Sequence, residues 1–295
     1  MRLSDAIDGY LLLKATRASA QTIATDRVML GQLTRWAADC DTSAVTPAVV
    51  RRYLAYHRER GLSEHTIRRH HAVISALFKW LTSPDIALTN ANPVATVPAP
   101  KLPALQPRAL TQEQVAALLE AAVAGRNPRR AKAFLLVMLD TGCRISEITG
   151  ACLSDVDMAS GRIRVTGKGQ RERYVYIGKR ALAALWLYVK EERPDPAVVG
   201  DDHLFLTQDG YPTNRNSWRC YITRLSKRVG FHVHLHMFRH TSAIEHLRRG
   251  MDLASLQHML GHQDIKTTRA YLTALNDEDV ADRARRTSPG DNWRL

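Results

Sequence analysis

The sequence predicts a mainly α protein in two domains: a helical front domain, and an α-rich back domain carrying a small antiparallel sheet. Three observations lead there. Apolar residues recur at helical spacing through 23–37 and 63–81; five of the twelve prolines crowd into 93–107; and the hydrophobic period drops to two only around 161–177. A chain of 295 residues with 45% hydrophobic content can build two real cores, which excludes disorder as the default state.

In the front part, Ile23, Leu30, Leu33 and Ala37 share one helical stripe, and Thr46-Pro47 supplies an N-cap followed by proline at the first helical position. Between Ser63 and Leu81 the stripe is Ile67, Ile74, Leu77, Phe78 and Leu81, with Arg68, Arg69 and Lys79 off it. About four helices follow, filling residues 1–100. The run "PVATVPAPKLPALQP" fixes φ and removes donors, so it reads as extended and unpacked, with residues 101–107 as the linker and 108–295 as the second domain.

Thr111-Gln-Glu-Gln114 is a capping box that opens a helix. A further helix over about 129–140 runs into "TGCRISEIT", and "GRIRVTGKGQRERYVYI" alternates as two short strands around Gly167-Lys168-Gly169, a hairpin. Helices are expected over about 179–192 and 213–229, with Gly230, Gly250 and Gly261 each placed to end one. Near the end Asp264 caps a helix whose apolar stripe is Ile265, Thr268, Leu272 and Leu275. At about 100° per residue Tyr271 then falls on the stripe's edge, its ring anchored and its hydroxyl facing outward.

The net charge is +13 and the pI about 9.9. Up to Pro107 there are 13 Lys+Arg against 8 Asp+Glu, and beyond it 29 against 21, so both parts are basic. Such spread suits a polyanion gripped from two sides better than a local basic tail. Cys40, Cys143, Cys152 and Cys220 show no paired spacing and read as reduced thiols of a cytoplasmic protein. No signal peptide or long apolar run suggests a membrane.

Several residues carry candidate chemistry, each with an ordinary alternative. His236 and Arg239, three apart, share a helix face, where the arginine depresses the histidine's pKa in a way that suits anion binding or proton transfer. Arg144 stands at a helix start, tolerable if an anion sits there too; otherwise it is a surface arginine paired with Glu147. Lys168, at a hairpin tip, is either solvated or reaches into something large. Tyr271 is either packing or functional. His232, His234 and His236 on one strand face, with His258 and His262, invite a metal reading. Against it, no HExxH or cysteine-rich partner accompanies them, and Gly261 ends the helix before His262. No metal and no cofactor is expected.

Together these pieces resemble the tyrosine recombinase, or phage integrase, family. "TGCRISEI" resembles its first arginine box, "VTGKGQRERYVYI" its lysine hairpin, "HLHMFRHTSA" its His-x-x-Arg box, and "LGHQDIKTTRAYL" its histidine-to-tyrosine segment, in that order. "SAQTIATDRVMLGQLTRW" and "SEHTIRRHHAVISALFKWL" are similar to its core-binding helices, so the likeness covers nearly the whole chain. Phe238 replaces a usual leucine and Tyr176 a common proline, and neither change removes a functional group.

The resemblance implies a two-domain DNA clamp, a SAM-like helical domain with a catalytic domain. It implies that Tyr271 attacks a scissile phosphate, giving a 3′-phosphotyrosine and a 5′-hydroxyl without metal or ATP. Arg144 and Arg239 would brace the non-bridging oxygens, His236 would accept the phenol proton, His262 would bond the phosphate and Lys168 would protonate the leaving oxygen. Glu147 would brace the site. The partners implied are double-stranded DNA and three further copies, a homotetramer on two synapsed sites that exchanges C-terminal segments such as "ALNDEDVADRARR". An accessory DNA-bending protein is compatible with this. A mobile-element integrase is the leading expectation, because the opening region matches the Xer pattern loosely. A Xer-like dimer resolver, a type IB topoisomerase, a regulator without catalysis and a metal-dependent nuclease are the rivals.

Overall fold

The computed structural model describes residues 1–102, 108–167 and 169–292. Residues 103–107 of the expected linker and Lys168 therefore lie outside the described residues. The chain divides into two compact units, Met1–Ala104 and Leu105–Leu295. Each has its own core.

The first unit holds four helices: α1 (Leu3–Ala15), α2 (Ala20–Trp36), α3 (Pro47–Glu59) and α4 (Glu64–Leu81). Ser19, Thr46 and Ser63 cap α2, α3 and α4, each accepting from a backbone N–H three residues on, which satisfies a donor the helix cannot. Leu30, Leu33, Ile67, Ile74, Leu77, Phe78 and Leu81 are buried as their spacing requires, while Ile23 and Ala37 pack at the margin. The start of the proline-rich run, expected extended and unpacked, instead turns at 93–96 and buries Val94 and Val97 in this core, because its two valines are apolar enough to be held there.

The second unit is helical around a three-stranded antiparallel sheet. Helix α5 (Gln112–Val123) begins at the Thr111–Gln114 capping box, and α6 (Pro128–Thr141) starts with proline where no helix partner for its nitrogen exists. The short α7 (Ile145–Thr149) leads to β1 (Val156–Asp157), β2 (Arg162–Thr166) and β3 (Glu172–Tyr176), in that spatial order. Strand β1 was not expected, since two residues carry no period. In β2 and β3 the inward positions pair Ile163 with Val175 and Val165 with Arg173.

Helices α8 (Lys179–Glu191) and α9 (Arg215–Val229) follow. The second starts later than expected because Asn214 is its cap. Then come α10 (Leu235–Arg248), α11 (Leu253–Leu260) and α12 (Ile265–Arg269), which tightens into a 3-10 turn over Ala270–Ala274. Helix α13 (Asp277–Arg286) lies against its own domain, with Asp279 3.4 Å from Arg248. The main core joins α5, α6, α8, α9 and the sheet. A smaller one joins α10, α11 and Tyr271. Among the described residues no helix is long and apolar enough to cross a membrane.

Candidate active site

Two helix ends meet around one buried arginine. Helix α6 stops at Gly142 with φ 56°, where a Cβ would sit 2.8 Å from Leu260 Cδ2 and 2.9 Å from Ser242 Oγ, so glycine alone fits. Helix α11 stops at Gly261 in the same left-handed conformation. Arg239, on α10 and 2% exposed, donates from Nη1 to Gly142 O (2.7 Å) and from Nη2 to Leu260 O (2.8 Å). A cation at two helix C-termini complements both dipoles. A guanidinium has five N–H groups, and these two bonds use two of them.

Glu147 is the second node. It is 2% exposed, and every oxygen direction is used: Arg173 Nη1 and Nη2 donate to its two oxygens at 2.9 and 2.8 Å, Arg144 N at 2.8 Å and Arg144 Nη1 at 3.0 Å. Burial pushes its carboxyl pKa up, but the hydrogen bonds and charge of Arg173, then of Arg144, outweigh this and hold it below its ordinary value. Arg144 thus stands at the start of α7 with Glu147, as the sequence allowed, yet its side chain stays 40% exposed toward the cleft. Its two terminal nitrogens also make long contacts to Gly261 O, at 3.5 and 3.4 Å.

Three histidines complete the wall. His236 and His240 are one helical turn apart on α10, with ring centroids 4.4 Å apart and edge to face. His262 Nδ1 bonds Thr268 Oγ1 at 2.8 Å, and its ring lies parallel to Tyr271, 6.3 Å between centroids. Burial lowers the pKa of His236 first, and Arg239 adds to it. Burial likewise takes His240 and His262 to about 4, helped by the charge of His236 in the one case and of Arg239 in the other. All three are therefore neutral at pH 7, able to accept as well as donate.

Tyr271 corrects the expectation drawn from helical phase. It is 3% exposed, in the small core with Leu256 and Leu260, whereas Ile265 and Leu272 of the supposed stripe are 43% and 39% exposed. The buried face of this segment runs through Thr268, 0% exposed, and Tyr271 three residues on, so it is turned away from the expected stripe already at Ile265, before the 3-10 turn begins at Ala270. The Tyr271 hydroxyl faces His240 Nδ1, with which it shares a hydrogen bond of 3.2 Å. Burial raises its pKa, against the charge of Arg239.

One cleft of about 1010 Å3 is lined by Arg144, His236, Arg239, His262 and Tyr271, five of the six residues singled out from sequence. Gly167, next to Lys168, lines it too. Of His232, His234 and His236 the last alone lines the cleft, with His258 on its wall as well; residues 231–234 form no strand, and His234 is the N-cap of α10. Among the described residues no group of three or more potential metal ligands converges. Sequence reasoning missed Arg173 and His240. Arg173 was visible as the inward phase of β3, in register with Val175, and His240 as the i+4 neighbour of His236.

Comparison with known proteins identifies both domains. Residues 108–278 match the phage integrase family, and residues 7–84 match the phage integrase N-terminal SAM-like domain. Tyrosine recombinase XerD of Halalkalibacterium halodurans is 36% identical over 232 residues, 77% of each chain. Tyrosine recombinase XerC of Xanthomonas axonopodis pv. citri is 31% identical over 283 residues, 90% of this chain and 91% of its own. Among solved structures, the Tn1549 transposon integrase in complex with a circular intermediate DNA has a TM-score of 0.81 at 19% identity, covering 98% of this chain and all of that one. That match speaks for the fold. With both domains matched and the arginines, histidines and tyrosine gathered in one cleft, the chain belongs to the phage integrase family and is a site-specific tyrosine recombinase of the Xer/integrase type.

Proposed function

We propose that Tyr271 is the nucleophile, attacking a scissile phosphate of duplex DNA to form a 3′-phosphotyrosyl bond and release a 5′-hydroxyl. The observation that carries this is the single cleft, in which Tyr271 lies beside His262 and faces Arg144 and Arg239. The covalent step conserves the phosphodiester bond, so rejoining needs no ATP. In this reading Arg144 and the spare N–H groups of Arg239 brace the non-bridging oxygens, His262 bonds the phosphate, and neutral His236 accepts the phenol proton. Lys168 protonates the departing 5′-oxygen. The hydroxyl starts on His240, so attack requires it to leave that partner.

Residues 1–100 are assigned as the core-binding domain, 101–107 as the linker and 108–295 as the catalytic domain. The similar lambda integrase was solved as a tetramer bound to a Holliday junction. We assign this chain the same assembly, a homotetramer on two synapsed sites. Mobile-element integration remains the leading role. Xer-type dimer resolution is the second reading, favoured by a XerC match over 90% of the chain.

The test is a nicked suicide duplex, which traps the covalent intermediate because the cut fragment diffuses away. Wild type forms the protein–DNA adduct in EDTA, and Tyr271→Phe binds the same DNA and forms none. An adduct from Tyr271→Phe would remove the assignment, and cleavage abolished by EDTA would return the metal nuclease. Sequencing the trapped DNA identifies the role.

A further inference from the structure

We infer that Arg173 is a positioning residue of the strand-transfer chemistry: it occupies Glu147 so that the Arg144 guanidinium stays open to the cleft. The inference rests on Arg144 being a phosphate brace, as proposed above. Arg173 projects from β3 and its side chain is 8% exposed, beside a Glu147 side chain that is 2% exposed. Its fork fills both Glu147 oxygens, and Nε donates to Met259 O at 2.9 Å. The same guanidinium fills the space over Gly261, where a Cβ would lie 2.8 Å from Nη1. One residue thereby ties the lysine-hairpin strand to the first arginine box and to the turn before His262.

The competition at Glu147 decides what Arg144 can do. A carboxylate facing a lone arginine takes it in the two-bond, fork-to-fork geometry. Here Arg173 already holds that geometry, and Arg144 has one side-chain bond to Glu147, through Nη1. Take Arg173 away and the Arg144 fork closes on Glu147, withdrawn from the phosphate. A buried ion pair is weak evidence of stabilisation, since its desolvation offsets its attraction. Its better use here is to set the orientation of a third group.

The experiment measures single-turnover adduct formation on the nicked duplex at saturating DNA, with DNA affinity and melting temperature recorded for each variant. Arg173→Lys keeps the charge but cannot fill both oxygens, and should cleave at least about tenfold more slowly with DNA affinity within about twofold. Because it acts through Arg144, the double variant Arg144→Lys/Arg173→Lys should be within about twofold of Arg144→Lys alone. Should Arg173→Lys fold poorly, Arg173→Met/Glu147→Gln removes both buried charges together. It should melt near the wild type yet lack the cleavage rate, because nothing then orients Arg144. Cleavage by Arg173→Lys or by that neutral pair at near the wild-type rate overturns the inference, as do losses that multiply in the double variant. Arg144→Lys cleaving normally would instead overturn the phosphate-bracing reading beneath it, and Tyr271→Phe tests the nucleophile independently of both.

Discussion

The two arginines proposed to brace the phosphate differ in what else they hold, and their variants should separate accordingly. Arg144 is part exposed and anchored by Glu147, so Arg144→Lys removes an oriented donor and little else. Loss of such a donor typically costs about 3 kcal/mol of transition-state stabilisation, roughly a hundredfold in rate. Arg239 also satisfies Gly142 O and Leu260 O, and a lysine cannot reach both. Stranding a buried carbonyl costs about 1–3 kcal/mol, so Arg239→Lys should lose melting temperature as well as cleavage. Suicide-substrate rates and thermal melts on both variants check the contrast. Equal melts would mean that Arg239 does not hold the two helix ends together.

At the scale of elements, the front domain contains a buried group at odds with its setting. His57 on α3 is 1% exposed and neither ring nitrogen has a partner; it stacks on His70 of α4, centroids 4.3 Å apart, and His70 shares a hydrogen bond with Tyr53. Burial lowers both pKa values, that of His70 to about 4. Both histidines therefore stay neutral in the folded state while the unfolded chain takes up protons near pH 6.5. Stability is full above that value and falls as pH drops from about 6.5 toward 4, because the unfolded state binds more protons there. His57→Leu should raise the melting temperature at pH 7, by removing unpaired polar atoms, and flatten the fall below pH 6.5. A variant with an unchanged pH dependence would assign the acid sensitivity to other groups. Elements of this kind show why legibility varied along the chain. The stripes of α2 and α4, the Thr111 cap and the glycine stops were readable, since each depends on neighbours in sequence. The phase of Tyr271 was not, because the face that packs on Leu256 and Leu260 runs through Thr268 and Tyr271, and the short apolar pattern of Ile265, Leu272 and Leu275 does not reveal it. Arg173 was overlooked because its partner, Glu147, lies 26 residues away and no local pattern links the two.

Across the whole molecule the basic excess falls on two units with separate cores, and the front unit presents exposed cations outside its stripes. Arg51 and Arg52 on α3 and Arg69 on α4 are exposed, and none has a hydrogen bond or ion pair among the described residues. Arg58, by contrast, is already tied to Glu64, and Arg68 to Pro100 O. Free cations on the helices of a DNA-binding fold are the groups that displace counterions from phosphates. Each phosphate neutralised on duplex DNA steepens the slope of log K against log salt by about 0.9. Arg51→Ala/Arg52→Ala/Arg69→Ala in the full chain should therefore bind more weakly and show a slope shallower by up to about 2.7, for three contacts. The rate of adduct formation at saturating DNA should not change, because among the described residues the cleft proposed as the active site is lined by the second unit alone. Binding titrations at several salt concentrations measure the slope. A slope equal to the wild type's would mean that these helices touch few phosphates, and that the grip on DNA comes from the catalytic unit.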